Sequence, residues 1–118
     1  MNHHPESFLP LPDLPLHILL ALAEEEPLHG WGIIKRVDEL TGGRKSPSSG
    51  SLYLALARLA ERHLLEEVAG PPDNEDARRR YYRLTPFGRR VLEAESRRLA
   101  GLVAVARAAE VLADEAPR

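Results

Sequence analysis

The chain has no cysteine, so disulfide cross-links and thiolate-held zinc are excluded and a reducing compartment suits it. It lacks any apolar run near the ~20 residues that span a bilayer, and its start lacks the basic stretch and cleavage pattern of a signal peptide. No membrane association is expected, and the cytoplasm is the expected location. Lys and Arg are absent from residues 1–34, which hold five acids, and acids are absent from residues 78–90, which hold Arg78, Arg79, Arg80, Arg83, Arg89 and Arg90. The formal net charge of −2 therefore hides a strong segregation. Such blocks can build a basic face on an acidic protein, and only the face matters to a phosphate backbone.

Its 118 residues fit one domain, and 43% apolar and 29% charged residues are ordinary for a globular protein. A chain this short buries only about two-thirds of its surface on folding. A partner subunit would add to its stability.

Residues 1–14, with Pro5, Pro10 and Pro12 between Phe8, Leu9, Leu11 and Leu14, read as an extended apolar arm. His3 and His4 are adjacent but lack a third ligand at helical spacing, so no metal site and no cofactor is expected. Pro15 opens a helix through Leu16, Leu19, Leu20 and Leu22, stopped by Glu24–Glu26 and Pro27. A second helix runs from about His29 to Thr41 on the buried positions Ile33, Ile34, Val37 and Leu40, and Gly42-Gly43 ends it. Ser48 then caps a third helix whose inner face is Leu52, Ala55, Leu56 and Leu59. Its outer face carries Tyr53, Leu54, Ala57, Arg58, Glu61 and Arg62, and it ends near His63. Short strands at about 65–69 and 80–84 flank a loop tip at residues 70–76 and make a hairpin. Thr85-Pro86 opens a last helix expected to reach about Ala113. Leu92, Leu99, Ala106 and Ala113 repeat every seven residues in it, a seam for another helix. At 1.5 Å per residue it would be ~42 Å long and outrun the small domain before it.

The fold class is thus mainly α with a small β-hairpin. A winged helix-turn-helix over residues 15–85 follows the arm at 1–14 and precedes a long C-terminal dimerisation helix at 86–118. The geometry sends the third helix, about 48–62, into the major groove of DNA. Ser48, Ser49 and Ser51 are short hydroxyl donors, Gly50 adds no bulk, and the free amides of the first turn attract an anion. Ser48 also has a plain reading as the helix cap. Tyr53 is placed on the outward face, with packing against the core as its alternative. Lys45 is positioned for a phosphate, and Arg78, Arg79 and Arg80 on the wing for the backbone or the minor groove. The expected dimer contacts are Leu92, Leu99, Leu102 and Ala106.

Three stretches carry a family likeness: Leu28-His29-Gly30-Trp31-Gly32-Ile33-Ile34, then Ser51-Leu52-Tyr53 with Leu56 and Leu59, then Arg79-Arg80-Tyr81-Tyr82-Arg83-Leu84-Thr85-Pro86 with Gly88. In this order and spacing, from about Leu14 to Leu102, the chain resembles the PadR family of transcriptional regulators, in its subgroup with a short C-terminal region. The resemblance implies a homodimeric repressor that binds double-stranded, inverted-repeat operators through the third helix and the wing. It also implies release of DNA by a small hydrophobic or aromatic effector. His63 stands where the family usually ends this helix with glycine. Trp31 replaces the usual tyrosine and could stack on a planar effector, its plain reading being a core or interface aromatic.

Two other classes compete with this reading. A winged helix used for protein contacts would not gather positive charge on the third helix and wing. An enzyme is not expected, because no nucleophile and base can be paired, and Gly-x-Ser-x-Gly and phosphate-binding Gly-rich loops are missing. Another winged-helix regulator family such as the MarR type usually has longer chains, with helical dimer elements at both ends.

Overall fold

The computed structural model describes residues 4–44, 46–70 and 80–113. Its elements in chain order are α1 (Asp13–Glu24), β1 (Leu28–His29), α2 (Gly30–Leu40), α3 (Ser49–Glu61), β2 (Leu65–Val68), β3 (Tyr81–Leu84) and α4 (Pro86–Ala108). Instead of being extended throughout, the arm includes a 3-10 turn at Pro5–Phe8. Among the described residues no helix is long and apolar enough to cross a membrane.

The helices follow local rules. α1 starts at Asp13, with Pro15 in its first turn, where a missing amide costs nothing. Gly42 and Gly43, at φ 63° and 81°, end the second helical segment in the left-handed region where glycine is cheapest. His63 takes the same conformation at φ 63°, and the Leu64 amide donates back to the Leu59 carbonyl at 3.0 Å. This is a Schellman stop with histidine where glycine is usual.

The sheet has the order β1-β3-β2, antiparallel throughout, with Leu65 opposite Leu84 and Leu28 opposite Tyr82. Sequence periodicity finds the hairpin strands but not β1, because two residues carry no period. That third strand alters β3. Alternation would leave Tyr81 on the outer side, yet Tyr81 and Tyr82 are both buried. The His29 ring on β1 meets the Tyr81 ring edge-on at 5.3 Å, and Gly70 lies so close to it that a Cβ would fall 2.4 Å from Cε1.

One core joins Ile18, Leu19 and Leu22 of α1, Ile33 and Val37 of α2, and Leu52, Leu56 and Leu59 of α3 to Leu64, Leu65, Tyr82 and Leu84. Val91 and Leu92 of α4 complete it. Gly88 brings α4 onto this core, since a Cβ there would lie 1.8 Å from the Leu64 carbonyl oxygen. The Thr85 hydroxyl accepts from the Gly88 amide at 2.9 Å and donates to the His63 carbonyl, pinning the start of α4 to the end of α3.

Two expectations for α4 change. The helix ends at Ala108, so its 23 residues span ~34 Å at 1.5 Å per residue. Leu92 is only 6% exposed within its own protomer and so belongs to the core rather than to a seam facing another helix. Leu99 and Ala106 are half-buried, and Leu102 is 54% exposed.

Candidate nucleic-acid interface

The tip of α3 is built by its cap. Ser48, in extended backbone, accepts from the Ser51 amide at 3.1 Å and donates to the Ser51 hydroxyl at 3.0 Å. Both hydroxyls are therefore engaged locally, and the plain reading of Ser48 as the cap holds. Ser48, Ser49, Gly50 and Ser51 are all exposed, and a Cβ on Gly50 would meet nothing within 4 Å. The tip can thus be approached closely.

Tyr53 is 45% exposed and does not belong to the core cluster. Its ring leans on the start of α2, where a Cβ on Gly30 would fall 2.4 Å from the Tyr53 hydroxyl oxygen. Tyr53, His29, Gly30, Trp31 and Arg80 line an open cleft of about 600 Å³. His29 is fixed within it, because its Nδ1 accepts from the Gly32 amide at 3.0 Å and caps α2. Trp31 is 66% exposed, which removes its reading as a core aromatic of the protomer.

The charge pattern is less one-sided than a linear count implies. Arg83 pairs with Glu66, directly across the sheet, at 2.8 Å, and Arg80 lies 3.7 Å from Glu67. Burial pushes the Tyr82 hydroxyl pKa up, Glu67 adds to this, and Arg80 acts against it. Arg36 holds Glu24 with two hydrogen bonds of 2.6 and 2.7 Å and also reaches Glu39, which keeps the Glu24 carboxyl below the usual carboxylate range. Arg89 lies 3.7 Å from Glu26. Among the described residues Lys35, Arg44, Arg58, Arg62 and Arg90 have no carboxylate partner; three of these five flank or occupy α3, and Arg90 lies over the Phe87 ring on α4. Lys45, Arg78 and Arg79 lie outside the described residues, as does His3. No group of three or more potential metal-ligating side chains occurs among the described residues.

Some constituents leave no clear mark in the sequence. Arg62 places its guanidinium 4.9 Å over the Phe8 ring, and Phe8 in turn meets Phe87 of α4 edge-on at 5.4 Å. Fully buried Glu95 of α4 accepts from the Leu11 amide at 2.9 Å and from Arg98. Arg98 and the Leu11 amide hold its carboxyl below its ordinary pKa against the opposing effect of burial. A lone Glu amid α4's apolar positions is the only signal that could have marked it.

This arrangement can be set against known proteins. The model of the transcriptional regulator PadR-like family matches residues 18–94. The chain belongs to that family. The match confirms the likeness read from the three stretches, and PadR-like proteins are regulators rather than enzymes. A PadR family transcription regulator from hypervirulent Clostridium difficile R20291 superposes with TM-score 0.67 at 26% identity, over 80% of this chain and 94% of that one. The PcaV transcriptional regulator of Streptomyces coelicolor, solved in complex with its natural ligand, gives TM-score 0.67 at 28% identity, over 86% of this chain and 63% of that one. An uncharacterized 37.1 kDa protein in transposon TN4556 of Streptomyces fradiae is 41% identical over 90 residues, 76% of this chain. This PadR-like chain spans about a quarter of that relative's length, 24%.

Proposed function

We propose that the chain is a sequence-specific regulator of transcription, a repressor that binds double-stranded DNA as a homodimer. The reading rests chiefly on the exposed first turn of α3, capped by Ser48 and flanked by Tyr53 and Arg80 across an open cleft. In it, Ser49, Ser51 and Tyr53 read base edges in the major groove. Lys45, Arg78, Arg79 and Arg80 position the protein on the phosphates. Two copies joined beyond Leu99 would set their third helices about one DNA turn apart, ~34 Å, which calls for an inverted repeat. A small hydrophobic or aromatic effector releases the DNA, with Trp31 as one candidate for stacking on it.

The test is selection of bound duplexes from a random pool, followed by anisotropy titrations on the selected and a scrambled duplex across a salt series. Each phosphate contact should add about 0.9 to the log–log salt slope. Replacing Arg79 and Arg80 together by Ala should flatten that slope and keep the operator-to-scramble ratio. Tyr53→Ala should shrink the ratio, at about 1–3 kcal/mol per lost base contact. A wild-type slope of zero, or a pool from which no inverted repeat emerges, removes the reading.

A further inference from the structure

α3 is joined to α4 at the end remote from its exposed tip. The Thr85 hydroxyl on the His63 carbonyl and the close approach of Gly88 to Leu64 make that joint. With 13 residues, α3 is ~20 Å long. A tilt of ~10° at the joint would therefore move the tip at Ser49 by ~3.4 Å, one base-pair step. There is room for such a tilt, because a concavity of about 410 Å³ lies between the N-terminal arm and Ser51, Leu54 and Arg58 on one flank of α3. We propose that the arm braces this joint and that Phe8 is a positioning residue fixing the half-site spacing the dimer accepts, an inference that rests on the regulator reading above.

The arm holds both helices. On the α3 side the Arg62 guanidinium lies 4.9 Å over the Phe8 ring. On the α4 side Phe8 meets Phe87 edge-on at 5.4 Å, and Arg90 in turn stands 5.3 Å over Phe87. These four side chains run in one row from the end of α3, through the arm, to the start of α4. A second tie lies farther along. The Leu11 amide donates at 2.9 Å to fully buried Glu95, ~10 Å along α4 from Gly88 at 1.5 Å per residue. Joint, row and buried tie form a triangle, which resists a rotation that a single joint allows. The arm is stiff enough to act as a strut. The Ser7 amide and hydroxyl both donate to the His4 carbonyl, at 3.0 and 2.8 Å, and the Leu9 amide donates to the Glu6 carbonyl at 3.2 Å. Pro10 and Pro12 fix their own φ, and the Leu16 amide on the Pro12 carbonyl at 3.0 Å carries the arm into α1. Phe8 is half-buried and packs against the core without belonging to it. Its ring therefore supplies direction more than stability. Edge-on ring pairs and cation–π contacts need an aromatic ring at a set angle, and an aliphatic side chain of similar size supplies neither. The arm also precedes residues 18–94, the stretch that the family model matches.

Because the chain has no cysteine, Ser49→Cys and Arg97→Cys give two label sites, one at the tip of α3 and one on the exposed side of α4. The spin-labelled full chain, diluted into unlabelled chain, reports the distance between them within one protomer. An otherwise wild-type chain should give one narrow distance and Phe8→Leu a broader one, while Phe8→Tyr, which keeps the ring, should restore the narrow width. In parallel, the half-site selected by wild type is placed in inverted repeats whose spacer grows one base pair at a time, each step turning the second half-site by about 34°. Wild type and Phe8→Tyr should prefer the best spacer over its neighbours by about tenfold or more, since a mismatch must be made up by twisting the DNA. Phe8→Leu should bind the neighbouring spacers within about threefold of the best, with half-site sequence and salt slope kept. Phe87→Leu removes the other ring, should act in the same way, and keeps the test open if Phe8→Leu fails to fold. An unchanged distance width in a folded variant, or a broadened width with spacer preference still sharp, would overturn the brace. So would an affinity loss uniform across spacers, which is what a merely structural residue gives. A wild type that binds no duplex refutes the regulator reading and the spacing role with it, while the distances still decide whether the arm fixes the angle.

Discussion

Along α4, residues 86–98 bury Val91, Leu92 and Glu95 in the chain's own core, whereas farther on Leu102, Val103 and Val105 stand 54%, 38% and 65% exposed. The apolar spacing is continuous across the two halves. The difference is what lies opposite. The first half faces Leu64 and the arm, with Gly88 allowing backbone contact, while a Cβ on Gly101 in the second half would meet nothing within 4 Å. A seven-residue repeat therefore reports that a helix face wants burial, not whose surface buries it.

The sharpest way to break this contrast is to place the same charge in both halves. Leu92→Asp buries an unpaired carboxylate and should cost about 4 kcal/mol or more, leaving little folded protein by circular dichroism. Leu102→Asp should leave the protomer's urea midpoint near wild type and shift sedimentation from dimer to monomer. Equal destabilisation by the two would show that α4 is buried alike along its length.

Next come the glycines. Gly88→Ala drives a methyl into the Leu64 carbonyl, and about 3 kcal/mol of stability should go, read from urea unfolding. Gly101→Ala meets nothing in the protomer and should raise helix stability by about 0.5–1 kcal/mol at concentrations where the chain is monomeric.

Glu95 gives the first half a pH signature. Its carboxyl titrates below its unfolded value near 4.5, so its contribution to stability is fully present above that value. That contribution is lost as pH falls through the lower folded pKa. Glu95→Gln should cost about 2 kcal/mol at neutral pH, through the charged hydrogen bonds to Arg98, and should flatten the acid limb of the stability profile. An unaltered acid limb would show that another carboxylate sets it.

The smallest effect is expected at the end of α3. His63 occupies the left-handed region at φ 63°, which costs a residue with a Cβ roughly 1–2 kcal/mol. His63→Gly should stabilise the chain by up to about 1 kcal/mol, the remainder being lost to greater freedom of the unfolded chain. A loss in thermal midpoint would mean that the imidazole makes a contact of its own.

The site is partly legible in the residues alone. The Ser48 cap, the exposure of Ser49 to Ser51 and the outward placement of Arg58 and Arg62 follow from a cap residue and a period of 3.6, both local properties. The balance of charge at the wing is not legible in this way. Arg83 and Arg80 meet Glu66 and Glu67 only because β2 and β3 pair in a particular register, and a count along the chain cannot show that. Tyr53 shows the same limit. Helix phase puts it outside the core, but its ring rests on Gly30, 23 positions earlier in the chain, and that contact exists only once α2 and α3 have packed.

By itself the sequence determined the four main helices, the hairpin strands, the caps at Ser48 and Thr85, the glycine stop after α2 and membership of the PadR-like family. Each is written in bonds between near neighbours or in a periodic apolar face, so the information lies within a few turns of chain. Tertiary structure alone decided that Leu28–His29 forms a third strand, that Leu92 belongs to the core and Leu102 does not, and that Glu95 binds the Leu11 amide 84 positions away. Those outcomes depend on which surfaces meet when the helices pack. A buried amide must find an acceptor, and an apolar side chain must find a neighbour, wherever in the chain that partner happens to stand.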